Sequence, residues 1–131
     1  MMKWWQIGLY FCLFLTMLVT IDWLFKMNLK TTIIVEPRLI NMGTIKKEEK
    51  KTAVFSVRNT GNNDLIIKTV EPDCHCTIVF WTKEPVKPKG VANITLEYDN
   101  SITGIFQRTA TVYTNSSEEV LILTIRGKVV N

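Results

Sequence analysis

The chain has 131 residues, room for one domain of ordinary size plus an extra segment, and it carries three cysteines and a net charge of +4. From Thr31 to Asn131 there are 13 Lys and Arg against 11 Asp and Glu, leaving +2, and the signs alternate, which argues against the one-sided basic face of a nucleic-acid binder. A domain of about 100 residues can bury enough apolar surface to fold without several disulfides, so no cysteine scaffold is required.

Between Trp4 and Phe25 the only charge is Asp22, and a membrane-spanning helix needs about 17–25 mostly apolar residues. Trp4, Trp5 and Tyr10 at one end and Trp23 at the other suit the headgroup level, and Lys3 and Lys26 bracket the span. A cleaved signal peptide has a shorter apolar core, about 7–15 residues, that ends in small side chains. Here the run exits through Ile21-Asp22-Trp23-Leu24-Phe25, so residues 1–30 are expected to form a retained membrane anchor with short flanks. Lipidation at Cys12 is disfavoured, because bulky Tyr10 and Phe11 stand where processing requires small residues. Charges on the two flanks balance and leave the orientation open.

After the anchor, residues 31–131 read as strands. Thr32 to Val35, stopped by Pro37, gives a first short one, and Leu39 to Ile45 adds another. Lys46 to Lys51 mixes charges and is expected to be a solvated turn. Ala53, Phe55 and Val57 alternate with Val54, Ser56 and Arg58; Thr60-Gly61-Asn62-Asn63-Asp64 then reads as a hairpin turn into Leu65 to Val70. Ala92, Ile94, Leu96 and Tyr98 form one dry face. Thr109 to Thr114 and Leu121 to Val129 complete the set, with Asn115 to Glu119 as a polar turn and Leu121, Leu123, Ile125 and Val129 on one face. Seven or so short strands without helical periodicity predict an all-β, immunoglobulin-like antiparallel β-sandwich preceded by one transmembrane helix. The sequons at Asn93 and Asn115 are short enough to arise by chance.

Asp73-Cys74-His75-Cys76-Thr77 is the unusual local feature. Zinc would need a second ligand pair, and there is one His in the whole chain; two thiolates could still hold Cu(I). In an extended strand Cys and the adjacent His project to opposite faces, which argues against a nucleophile pair. A Cys74 to Cys76 disulfide meets a related obstacle, since extended residues i and i+2 lie about 6.6 Å apart with parallel side chains, and bonding needs a tight turn. The burial preference of free cysteine favours reading one or both as small core hydrophobes. An exposed redox-active or partner-facing pair is the competing expectation, because Pro72 to Gly90 reads as loop-rich.

Asn59-Thr60-Gly61, Asp73-Cys74-His75-Cys76-Thr77, Lys83-Glu84-Pro85-Val86-Lys87-Pro88-Lys89-Gly90, Thr111-Val112-Tyr113-Thr114-Asn115 and Leu123-Thr124-Ile125-Arg126-Gly127 occur in that order. Together they resemble the bacterial domain of unknown function 1573 over roughly Leu39 to Val130. The resemblance implies an immunoglobulin-type sandwich related to the ASH and major-sperm-protein-like group, exported or anchored at the cell envelope. Where that family commonly has Gly between the cysteines this chain has His75, which adopts positive φ less readily. It implies no activity.

No Gly-x-Ser-x-Gly elbow or phosphate-binding glycine loop is present, so neither an enzyme nor a bound cofactor is expected. The leading expectation is a non-catalytic structural or protein-binding module, membrane-anchored through Trp4 to Phe25, with its folded domain outside the cytoplasm. Its binding surface is expected to include the segment Pro72 to Gly90, where Phe80 and Trp81 stand near Pro85 and Pro88. The alternative is a thiol-redox or copper-handling protein that uses Cys74 and Cys76, with His75 between them.

Overall fold

Among the described residues, period-two alternation is realised as eight strands: β1 (Ile33–Val35), β2 (Leu39–Lys46), β3 (Thr52–Asn59), β4 (Ile67–Pro72), β5 (Thr77–Trp81), β6 (Val91–Tyr98), β7 (Gly104–Thr114) and β8 (Val120–Val130). They follow one helix, α1 (Trp4–Met27). This computed structural model describes residues 3–27 and 30–131. The side chains of Phe25, Lys26 and Met27 lie outside the described set, and with them the flanking role expected of Lys26. Over Trp4–Leu24 the helix is long and apolar enough to cross a membrane, a property that anchors share with signal sequences, and none of it is buried against the rest of the chain.

Two four-stranded sheets face each other, ordered β1-β3-β6-β5 and β2-β8-β7-β4. Their inner faces meet in one core that includes Phe55, Val57, Ile94, Leu96, Val112, Leu121, Leu123 and Ile125, all fully buried. The dry faces expected of β3, β6 and β8 are those observed, and Lys46 to Lys51 is an exposed turn.

Three departures from the sequence reading have physical reasons. Thr60 to Asp64 turns the chain but makes no hairpin, since β3 pairs with β1 and β6 while β4 pairs with β7. A turn signal specifies reversal and not the partner, and here the chain crosses to the other sheet so that Leu65 and Ile67 reach the core. The sandwich is not wholly antiparallel: β2 runs parallel to β8, from Leu39↔Thr124 to Lys46↔Val130, with a register shift between Asn41 and Thr44. Gly43 carries that irregularity at φ +70, and Gly127 faces it so closely that a Cβ there would stand 2.8 Å from the Gly43 carbonyl oxygen. Finally, Thr77-Ile-Val-Phe-Trp, placed in a loop-rich stretch, is strand β5 at the edge of the first sheet. Its β-branched and aromatic composition suits a strand, but five residues next to a turn are too few for a clear period.

The end of the sandwich where the chain arrives from α1 is held by polar contacts. Thr31 bridges Ser116, Lys30 pairs with Glu119 at 2.6 Å, and the Asn63 side chain donates to the Lys30 carbonyl at 2.9 Å. Asn59, fully buried on the core face of β3, centres this end. Its Oδ1 accepts from Thr31 Oγ1 at 2.6 Å and from the Gly61 amide at 3.1 Å. Its Nδ2 donates to the carbonyls of Asn63 at 2.8 Å and Val86 at 2.9 Å. Nearby, Arg38 grips Glu118 with two hydrogen bonds, of 2.7 and 2.8 Å. That contact holds the Glu118 carboxyl below the usual glutamate range. Its stabilisation is complete above the ordinary glutamate pKa and is lost as pH falls through the lowered one; with both partners over a third exposed it amounts to under about 1 kcal/mol.

Replacing Asn59 by Ala takes their partner from the Thr31 hydroxyl, the Gly61 amide and the Asn63 carbonyl, while the Val86 carbonyl keeps the Leu65 amide, at about 1–3 kcal/mol for each buried group left unpaired. Asn59→Ala is expected to lose at least about 3 kcal/mol in urea unfolding; a loss below about 1 kcal/mol would show that the network is dispensable.

Candidate thiol and interaction site

Three segments gather at the opposite end of the sandwich: the β2–β3 turn, the β4–β5 turn and the β6–β7 connection. Asn100 ties two of them together, its Nδ2 donating to the carbonyls of Lys46 and Glu49 at 2.8 and 2.6 Å. Between β4 and β5 the residues Asp73 to Cys76 form a tight turn that is clamped on both sides. Asp73 donates its amide to the Thr109 carbonyl at 3.0 Å and accepts from the Thr109 amide and hydroxyl at 3.1 and 3.3 Å. On the other side the Asp99 amide donates to the Cys76 carbonyl at 2.8 Å.

This turn corrects the sequence reading of the cysteines. Cys74 and Cys76 are not extended and not free core thiols; they form a disulfide, with Cα atoms 5.2 Å apart. The geometric objection held for a strand, and the clamps at Asp73 and Cys76 replace the strand with a turn. Both cysteines are half-buried and His75 between them is exposed. Cys76 packs against the core, and Cys74 lies 3.7 Å from the Thr77 hydroxyl. His75 also lines an open cleft of about 420 Å³ with Ile78, Glu97, Asp99, Glu48 and Lys50. Among the described residues no three His, Cys, Asp or Glu side chains come together as metal ligands.

Sequence reasoning missed Arg108. On β7, Phe106, Ala110, Val112 and Thr114 point inward, and Arg108 has the same parity while half-buried. Its Nε donates to Cys76 Sγ at 3.2 Å. A cation in register with four core positions was the available signal.

Beyond the turn, β5 pairs only with β6, from Thr77↔Tyr98 to Trp81↔Ile94. Ile78 and Phe80 point outward, 50% and 59% exposed, while Trp81 is half-buried against the core. Lys83 Nζ stands 2.9 Å above the Trp81 ring, a favourable placement over its negative face. Phe80 is in register with Thr95, which is in register with Val54, so the three share one row across three strands on the outer face.

The sequence profile of the family described as "Protein of unknown function (DUF1573)" matches residues 33–129, and the chain belongs to that family. No curated protein is detectably similar in sequence. Among solved structures, a protein of unknown function from Porphyromonas gingivalis W83 superposes with a TM-score of 0.68 at 13% identity, covering 76% of this chain and 47% of that one. This chain thus spans about half the length of the Porphyromonas gingivalis protein. An ASH/PapD-like domain of human CEP192 gives 0.61 at 12% identity, with 78% and 87% covered. A family 123 glycoside hydrolase from Clostridium perfringens gives 0.60 at 8% identity, with 77% and 27% covered. At these identities the likeness establishes an immunoglobulin-like, ASH/PapD-like fold and does not decide catalysis.

Exposure separates the two adjacent aromatics. Phe80→Ala is expected to change unfolding free energy by no more than about 0.5 kcal/mol, whereas Trp81→Ala removes core packing and should cost about 2–4 kcal/mol. Equal losses in chemical denaturation would contradict the division.

Proposed function

We propose that this chain is a non-catalytic protein-binding or structural module of the bacterial cell envelope: residues 1–30 anchor it in the membrane, and residues 31–131 form the module, outside the cytoplasm. The length and apolar character of α1 over Trp4–Leu24 support the anchor. The chain belongs to the family, and the export or anchoring at the cell envelope that the resemblance implies supports the compartment. No cofactor enters this reading.

One observation carries the binding role, the character of β5 as an edge. An exposed edge presents unpaired backbone groups to other chains, and folds protect against this with short strands, charges, prolines or bulges. The other three edges carry such devices. β1 has three residues and stops before Pro37. β2 is irregular at Gly43, preceded by Arg38 and ended by Lys46, and β4 contains Lys68 and Glu71 and ends at Pro72. β5 reads Thr-Ile-Val-Phe-Trp, without charge or proline, and exposes Ile78 and Phe80. An edge left unprotected in this way fits addition of a partner's strand, with Phe80 as its aromatic anchor.

Two outcomes are expected. A photo-crosslinking residue at Phe80 in cells should yield a discrete adduct that is absent when the probe replaces Ile122, which is 59% exposed on the other sheet; equal labelling at both sites would sink the assignment. Protease added to intact spheroplasts should digest residues 31–131, and full protection would reverse the orientation.

A further inference from the structure

Beyond docking, and independently of it, we infer that Cys74 and Cys76 form a thiol–disulfide exchange site, in which Cys74 takes the incoming thiolate and Cys76 leaves as a thiolate held by Arg108. The disulfide closes a very short loop, with one residue between its cysteines. So short a loop removes little entropy from the unfolded chain, and stapling is a weak reason for it. Its turn is already fixed by the Asp73–Thr109 and Asp99–Cys76 hydrogen bonds, which do not need the sulfur bond.

The two sulfurs are not equivalent. Cys76 packs on the core and receives the Arg108 Nε–H at 3.2 Å; Cys74 has neither feature and has only a hydroxyl neighbour, Thr77. A thiol departs faster when its thiolate is stabilised, and a guanidinium at hydrogen-bond distance stabilises a thiolate. Arg108 ion-pairs with no carboxylate among the described residues, so its charge is available to that sulfur. Position adds access: the chain enters the sandwich at the end holding Thr31 and Ser116, and the turn lies at the other end, open to solvent at His75.

The exchange balances with a dithiol as co-reactant. One thiolate of the dithiol attacks Cys74 Sγ, the Cys74–Cys76 bond breaks, and its electron pair goes to Cys76 beside Arg108. The second thiol of the co-reactant, deprotonated, attacks its own sulfur in the mixed disulfide and releases Cys74. The co-reactant is oxidised to a disulfide by two electrons, and the two protons from its thiols end on Cys74 and Cys76 or in solvent. The chemical class of partner is a protein or small molecule with two thiols in reach of each other.

The test uses the full chain in detergent with Cys12→Ser, so that only Cys74 and Cys76 report. Reduced glutathione serves as the trapping thiol and dithiothreitol as the dithiol. After acid quench, peptide mapping should find glutathione on Cys74; glutathione on Cys76 overturns the assignment of roles. Dithiothreitol should reduce the folded protein at neutral pH, and resistance short of unfolding would leave only a structural staple. Arg108→Gln should slow that reduction by about threefold to tenfold and move the glutathione equilibrium towards the disulfide by a similar factor, with Arg108→Lys restoring part of both. Unchanged rate and equilibrium in a folded Arg108→Gln would overturn the role of Arg108. Should Arg108→Gln fail to fold, the comparison rests on Arg108→Lys, which keeps the charge without the Nε–H and should be slower than wild type.

Discussion

One buried amide organises the end of the sandwich where the chain arrives. Asn59 fills both acceptor and both donor positions of its side chain with Thr31, Gly61, Asn63 and Val86. Those four belong to three different segments: the entry of the chain, the crossover from β3 towards β4, and the connection from β5 to β6. A buried amide with every partner in place specifies geometry strongly, because any other arrangement strands polar groups in a dry site. With that end fixed, strand directions follow, and the turns at 46–51, 73–76 and 99–103 are assembled at the other end without being adjacent in sequence.

The crossover under Asn59 also decides which strands become edges. Had Thr60 to Asp64 made a hairpin, β4 would have paired with β3 and been covered. Instead β3 is flanked by β1 and β6, and β4 and β5 fall at corresponding edges of the two sheets. Proximity through the β4–β5 turn brings Cys74 and Cys76 next to β7, and so next to Arg108. The juxtaposition of thiol turn, cation and unprotected edge is therefore a consequence of topology, since Arg108 is 32 residues from Cys76 in sequence.

Much of this was legible in the residues because burial in a sandwich is read with period two. Phe55, Ile94, Leu123 and their alternating neighbours declare their faces, and the block order from Asn59 to Gly127 declares the family. What period two does not carry is pairing. The parallel partnership of β2 and β8 joins residues about 85 apart, such as Leu39 and Thr124, and leaves no local mark. Nor does period two reveal a polar residue's reason for standing on an apolar face. Asn59 follows Ala53, Phe55 and Val57, and Arg108 stands between Phe106 and Ala110; both violate the pattern, and such local inconsistencies fall at strained or functional positions. The cysteines were misjudged for a related reason: whether i and i+2 can bond depends on hydrogen bonds from Thr109 and Asp99, which the local sequence does not contain.

The thiol turn and the β5 edge are neighbours, yet they are mechanically separable. Breaking the sulfur bond removes one constraint on Asp73 to Cys76, while the hydrogen bonds from Asp73 to Thr109 and from Asp99 to Cys76 are made by backbone and carboxylate groups that no thiol chemistry touches. Thr77, the first residue of β5, keeps its register with Tyr98, whose ring is stacked on Phe106 at 3.9 Å. Phe80 lies three residues further along, paired with Thr95 inside the sheet. A strand pinned at its start by a stacked aromatic pair and along its length by β6 does not shift when a short side loop opens, because packed interiors respond by discrete rearrangement and not by gradual deformation. The proposed exchange at Cys74 and the proposed docking at Phe80 are therefore separable, one at the end of the sandwich and the other on the β5 edge.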